Sequence, residues 1–358
     1  MRVLHLPASI GNNAWALSRG ERSLGVHSDT LVTQTSYLDY PADSIVDLSG
    51  SSTALGRWYL LLKAFLSVRA RYDVFHFNWG SSLFTMRGIN LQHLELPFYP
   101  DTAALFATYN GCDARQKLPT LAKGGFSACE NCVVRDCGPA LDRSREAGIT
   151  KMERHAQHLW ALNPDLLPFL PSQRSGFLPY AVPIVEKARP QRNEARRRLR
   201  VAHAPTNREI KGTAFLLNAV EQINRRHPDA IELVLVEGKS HAEALEIYGA
   251  ADVIVDQLLI GWYGAFAVET MMLGKPVVVR INARDAHAVP GPMREELLQA
   301  VIQADPNTIE EVLEGLLDSP AKLTGHAEAC FEYARRWHDP VHVASLTVAK
   351  YEEALKAK

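Results

Sequence analysis

Apolar and polar positions change period along this chain in a repeating way. Short unbroken apolar runs alternate with longer stretches in which apolar residues return every three or four positions. The first kind reads as a strand buried on both faces, the second as a helix with one apolar side. In the first half the pattern predicts strands at 2–6, 28–33, 73–77 and 104–109. It predicts helices at 14–24, after the Gly11-Asn12-Asn13 turn, and at 54–68, where Leu55, Tyr59, Leu62, Phe65 and Leu66 form the apolar stripe. The rhythm then restarts. Strands are expected at 200–204, 232–236, 253–256 and 276–280, and helices at 212–226, 242–248 and 264–273.

Alternation of this kind predicts an α/β chain with doubly wound parallel sheets. The restart predicts two Rossmann-like domains, 1–178 and 179–340, followed by a helix over 341–358. The stretch 179–198 is rich in Pro and Arg and reads as the linker, its Arg196-Arg197-Arg198 run as a solvated segment. In open α/β sheets, ligands sit beyond the carboxyl ends of the strands, so the loops there are where chemistry is sought.

Composition changes this picture little. The chain has 358 residues, too many for one core, and its formal net charge of −1 offers no global attraction for nucleic acid or an anionic membrane. No window reaches the ~18 unbroken apolar residues of a membrane helix, and the start lacks a signal-peptide pattern. A cytoplasmic protein without a transmembrane segment is expected.

Two segments carry candidate chemistry. The first is His203-Ala-Pro-Thr-Asn-Arg208-Glu-Ile-Lys211-Gly-Thr213, which follows a strand and opens a helix. Two cations at the positive end of a helix suit a diphosphate; a plain solvent-facing loop is the alternative. The second begins at Asp256, passes Gly261, Trp262, Tyr263 and Gly264, and enters a helix carrying Glu269. There the amides of Gly264, Ala265 and Phe266 are expected to face an anion. Glu269, on an otherwise apolar face, needs a partner; a ribose diol or a structural salt bridge would serve.

This half resembles the retaining group-1 (family 4-like) glycosyltransferases of the GT-B fold. The resemblance rests on Lys211-Gly212, on Gly264-Ala-Phe-Ala-Val-Glu269 and on Gly274-Lys-Pro-Val-Val, and covers residues 200–280. It implies two Rossmann-like domains facing across a cleft, a nucleoside-diphosphate sugar such as a UDP-sugar as donor, and hexosyl transfer with retention. The acceptor, a glycan, a lipid-linked or a small molecule, stays open. No metal is required by such a design. The resemblance places Gly11 and Asn12 beneath the donor phosphates, Glu237 and Gly238 against the base, and the C-terminal helix back on the first domain. It makes Arg208 and Lys211 the groups that neutralise the leaving phosphate, with His203 and Tyr263 among the donor contacts. Asp113 and Arg115 become candidates on the acceptor side, Asp113 with a catalytic role, and His76 and Asn78 candidate liners of the cleft. Three positions depart from the pattern. Trp262 stands where the family has an earlier glutamate, His203-Ala204 where it has Gly-Arg, and Asn110 near its usual histidine. A nucleotide-sugar epimerase of the same fold and a non-catalytic sugar-binding protein remain alternatives.

Four cysteines crowd one stretch: Cys112, Cys129, Cys132 and Cys137, with C-x-x-C spacing in the middle. Four thiolates suit a structural zinc ion, and an iron–sulfur cluster uses the same ligands. Free thiols are the plain alternative.

Overall fold

A computed structural model describes residues 1–33, 40–85, 91–133, 137–183, 198–317 and 319–358. Most of the predicted linker and Arg196-Arg197 lie outside the described residues. The chain divides into two compact units. Met1–Leu118, Asp136–Val182 and Asp339–Lys358 form the first; Pro119–Arg135 and Pro183–His338 form the second. Residues 119–135, which chain order assigned to the first domain, thus cluster with the second unit.

The first unit runs β1 (Arg2–Leu6), α1 (Asn13–Ser23), β2 (His27–Val32), β3 (Ser44–Ile45), α2 (Ala54–Val68), β4 (Val74–Asn78) and β5 (Ala104–Tyr109). α3 (Lys117–Ala122) and the one-turn α4 (Ala128–Asn131) follow, then α5 (Pro139–His155), β6 (His158–Ala161) and β7 (Ser175–Phe177). Its seven strands are parallel in the order β3-β2-β1-β4-β5-β6-β7. Leu4, Phe75, Phe77, Leu105 and Tyr109 fill the core between sheet and helices. Strands buried along their whole length, such as Val74–Asn78, are satisfied in a sheet covered on both faces, hence the two helical layers.

The second unit runs β8 (Leu199–His203), α6 (Arg208–Lys211), α7 (Thr213–Arg226), β9 (Ile231–Leu235), α8 (His241–Gly249), β10 (Val253–Val255), α9 (Ala265–Met272) and β11 (Val277–Val279). α10 (Ala283–Ala286), α11 (Gly291–Ala300), β12 (Ile302–Gln303), α12 (Ile309–Leu317) and α13 (Pro320–Trp337) complete it. Its parallel sheet has the order β12-β11-β10-β8-β9 around Val201, Val253, Val255 and Val278. The order reverses at β8, where the chain leaves this next-to-edge strand for the edge strand β9 and later crosses to β10. That switch point is where a doubly wound sheet opens a crevice beyond its strand ends.

The last helix, α14 (Pro340–Lys356), belongs to the first unit and lies on α1. Gly20 permits this approach, because a Cβ there would sit 2.0 Å from the Pro340 carbonyl oxygen. Tyr351 bonds His76 Nδ1 at 2.6 Å, and Thr347 donates to the buried Glu21.

One helix differs from its sequence reading. In α2 the buried residues are Leu61, Ala64, Phe65 and Val68, whereas Leu55, Tyr59, Leu62 and Leu66 face outward. The helix is apolar on two sides, so periodicity alone did not say which side meets the core. Among the described residues, no helix is long and apolar enough to cross a membrane.

Candidate functional site

The second unit brings a cation, a glycine turn and a helix start to one place. β8 ends at His203, and the chain turns into α6, capped by Asn207, whose side chain accepts from the Ile210 amide at 2.8 Å. Gly212, at φ 80°, closes α6 and opens α7. Arg208 and Lys211 therefore stand inside a one-turn helix of their own rather than in a loop.

Lys211 Nζ donates to Asp256 Oδ1 at 2.6 Å. Asp256 is fully buried just past the end of β10, and its Oδ2 accepts the Gly264 amide at 2.7 Å. One carboxylate thus ties the lysine of α6 to the turn that opens α9. A Cβ at position 264 would lie 3.3 Å from the Lys211 ammonium, so the missing side chain leaves that approach open. The sequence reading aimed three amides at an anion. The structure corrects it: the Gly264 amide is taken by Asp256, and Ala265 and Phe266 supply the amides of the first turn of α9. Sequence reasoning passed over Asp256; its signal was a charged residue closing an apolar strand.

Glu269 is not alone on its apolar face, because its Oε1 meets His241 Nε2 at 3.0 Å. The hydrogen bond that His241 donates to Glu269 raises the histidine pKa above its ordinary value, against the opposing effect of burial. Glu269 Oε2 has no partner among the described residues. Arg208 forks onto Glu237, at 2.8 and 2.5 Å, on the exposed surface. These bonds raise the arginine pKa and lower that of Glu237. Gly238 turns the chain at φ 63° directly after it.

Two expected donor contacts are interior residues. His203 is buried, with Nδ1 on the Val255 carbonyl at 2.7 Å and Nε2 on the Thr213 hydroxyl at 2.9 Å. Burial lowers its pKa to about 4, so it stays neutral, donating to the carbonyl and accepting from the hydroxyl. Tyr263 is fully buried, its hydroxyl at 2.6 Å from that of Tyr333 and 2.9 Å from His338 Nε2. Trp262 is buried beside it, the two rings stacked at 4.7 Å. Both point into the core under α13, so neither side chain is offered to a ligand.

Residues 119–133 cover part of this region. α4 packs against α6, and Arg280 Nη1 donates to the carbonyls of Phe126 and Leu259, both at 3.0 Å. The Arg280 guanidinium lies 5.5 Å from the centre of the Phe126 ring, and burial lowers its pKa. Arg280 was not singled out from sequence, and this segment was singled out only for Cys129 and Cys132.

The first-unit candidates have structural partners. Asp113 accepts the amides of Asn110 and Gly111, which fixes the turn after β5. Arg115 forks onto Asp165. His76 is completely buried between the hydroxyls of Tyr351 and Thr108, and the Asn78 amide donates to the His76 carbonyl. Gly11 and Asn12 are both left-handed, at φ 59° and 57°, and turn the chain into α1. Asn12 Oδ1 is buried without a partner among the described residues.

The cysteines divide between the units, Cys112 and Cys137 in the first and Cys129 and Cys132 in the second. Arg145 reaches the Cys112 carbonyl at 2.7 Å and Cys137 Sγ at 3.7 Å. Among the described residues, no group of three or more His, Cys, Asp or Glu side chains is placed to hold a metal ion.

Two parallel, doubly wound α/β units of this kind are the fold of the GT-B glycosyltransferases. Sucrose-phosphate synthase from Thermosynechococcus elongatus superposes with a TM-score of 0.65 at 14% identity, over 100% of both chains. HepE from Anabaena, solved with UDP and glucose, gives 0.63 at 10% identity, over 99% of this chain and 100% of that one. The catalytic domain of starch synthase IV from Arabidopsis thaliana, bound to ADP and acarbose, gives 0.60 at 12% identity over 99% of each. No protein-family model matches the sequence, and no curated protein does.

Proposed function

We propose that the protein is a glycosyltransferase that moves a hexose-type sugar from a nucleoside-diphosphate sugar to an acceptor, with retention of configuration. The observation that carries this reading is the single Asp256 carboxylate that holds Lys211 Nζ and the Gly264 amide together. It fixes an ammonium group beside the positive end of α9. Charge builds on the diphosphate as the glycosidic bond breaks, and fixed cations and helix amides stabilise it without reorganisation. Lys211 with the Ala265 and Phe266 amides serves that role. Arg208 is secondary, because Glu237 already matches its charge. In this reading Glu269 Oε2 accepts from a ribose hydroxyl while Oε1 stays on His241. The UDP in HepE and the ADP in starch synthase IV support a nucleoside diphosphate as the leaving group. Retention rests on the resemblance to the retaining group.

Titration with UDP-, ADP- and GDP-glucose by calorimetry, followed by NMR of the released sugar or product anomer, tests this reading. One donor is expected to bind, with the binding weakened by Lys211→Met, and to yield a product of unchanged anomeric configuration. Donor isomerised without any acceptor would make the protein an epimerase. Donor bound but left intact with every class of acceptor would make it a binding protein.

A further inference from the structure

His241 and Glu269 stand on two helices that are fixed independently of the contact between them. Glu243 Oε2 accepts the Ser240 amide at 3.0 Å and the Ser240 hydroxyl at 2.8 Å, and this capping box holds His241 at the first position of α8. α8 rests on α9, where the Tyr248 and Phe266 rings lie 4.8 Å apart. The imidazole therefore meets Glu269 Oε1 at 3.0 Å from a set direction, and the second carboxylate oxygen is left without a partner among the described residues. Glu269 is the one charged residue of α9. The other acids near His241 are engaged, Glu243 by Ser240 and Glu237 by Arg208, and Lys239 is the cation on the same stretch of chain.

We propose that His241 is a positioning residue for donor binding: it clamps one oxygen of Glu269 so that the other reads the ribose, and its charge offsets that carboxylate as a diphosphate enters. This rests on the ribose contact of Glu269 proposed above. An unclamped, ionised glutamate must order its rotamers on binding and repels a polyanion. With His241 in place, the rotamer is set and the charge is offset before the donor arrives. The two roles are separable by pH. The bond to Glu269 raises the His241 pKa, so the ring carries charge at and below its ordinary titration range and loses it as pH rises further. The neutral ring still donates from Nε2, so the clamp persists where the charge is lost.

Calorimetry with UDP, ADP and GDP, each beside its 2′,3′-dideoxy analogue, tests both roles. Native protein should bind its preferred nucleotide roughly tenfold more tightly than the dideoxy form, which leaves Glu269 Oε2 unpaired. His241→Leu should reduce that ratio to about twofold. His241→Gln keeps an N–H donor and should retain the ratio. Between about pH 6 and pH 8.5, native affinity for the ribonucleotide should fall about fivefold relative to His241→Gln, since the titration of the phosphate is common to the two proteins. The His241 side chain is 27% exposed, and the pH comparison needs only the glutamine variant, so it stands even where leucine perturbs α8. An unchanged ratio in His241→Leu, or one pH profile shared by native protein and His241→Gln, would overturn the inference and leave donor binding intact. Failure of all three ribonucleotides to bind native protein would overturn the donor reading, and this inference with it.

Discussion

Lys211 combines two roles that substitution separates. It compensates the buried Asp256, and in the proposed reaction it faces the leaving phosphate. Removing one partner of a buried pair leaves an uncompensated charge and costs about 3 kcal/mol. Lys211→Met should therefore lower stability by about that amount in urea melts, and lower kcat/KM by ~10²–10³. Adding Asp256→Asn removes the stranded charge, while the amide oxygen still accepts from Gly264. The double variant should regain most of the stability and none of the activity. Full turnover by the double variant would exclude Lys211 from the reaction. At this scale the sequence marked Lys211 and Gly264 well, because a cation before a glycine and a glycine before a helix are local patterns. It did not mark Asp256 as their link, because the lysine and the carboxylate are 45 residues apart in the chain and only the sheet brings them together. The burial of the Tyr263 side chain was not legible, because one residue of turn decides whether a side chain faces the ligand side or the core.

Elements were legible where apolar period was strong. β1, α2 and β5 have the boundaries the pattern predicts, and α7 and α9 each begin one residue later. Which face of α2 is buried was not legible, since both faces are apolar and only packing against β4 and its neighbours selects Leu61, Phe65 and Val68. Residues 119–135 were misplaced for a related reason. Besides α4 on α6 and the Lys123–Asp285 pair, they are attached through Arg280, a donor to the Phe126 carbonyl from far away in sequence. An exchange of its side chain for a small one leaves the Phe126 carbonyl without that donor, and a segment of few local contacts should then loosen. Arg280→Ala is expected to speed tryptic cleavage after Lys123 severalfold while leaving the thermal midpoint of the chain within a few degrees. Equal cleavage rates in the two proteins would mean that α4 against α6 suffices to hold the segment.

Over the whole molecule, both units hold buried or part-buried histidines in the neutral form. His76 and His158 in the first and His203 in the second all have pKa values lowered chiefly by burial, His158 and His203 to about 4. The unfolded chain protonates histidine near 6.5. Between pH 6.5 and about 4 the unfolded state therefore binds more protons than the folded one, and stability falls as pH falls through that window. At 1.36 kcal/mol per pH unit, the buried His203 alone accounts for on the order of 3 kcal/mol of that loss at pH 4. His158, partly exposed beside Lys350, contributes less than its shift implies. Carboxylates add their own acid loss, so the histidine part is isolated by difference. His203→Asn gives up the bonds to Val255 and Thr213 and should melt well below native protein at pH 7. It carries no titrating group at that position, so its deficit should shrink steadily as melts are repeated from pH 6.5 down to 4.5. A deficit constant across that range would mean that His203 binds its proton in the folded core as readily as in the unfolded chain, and that the acid sensitivity of the second unit has another source.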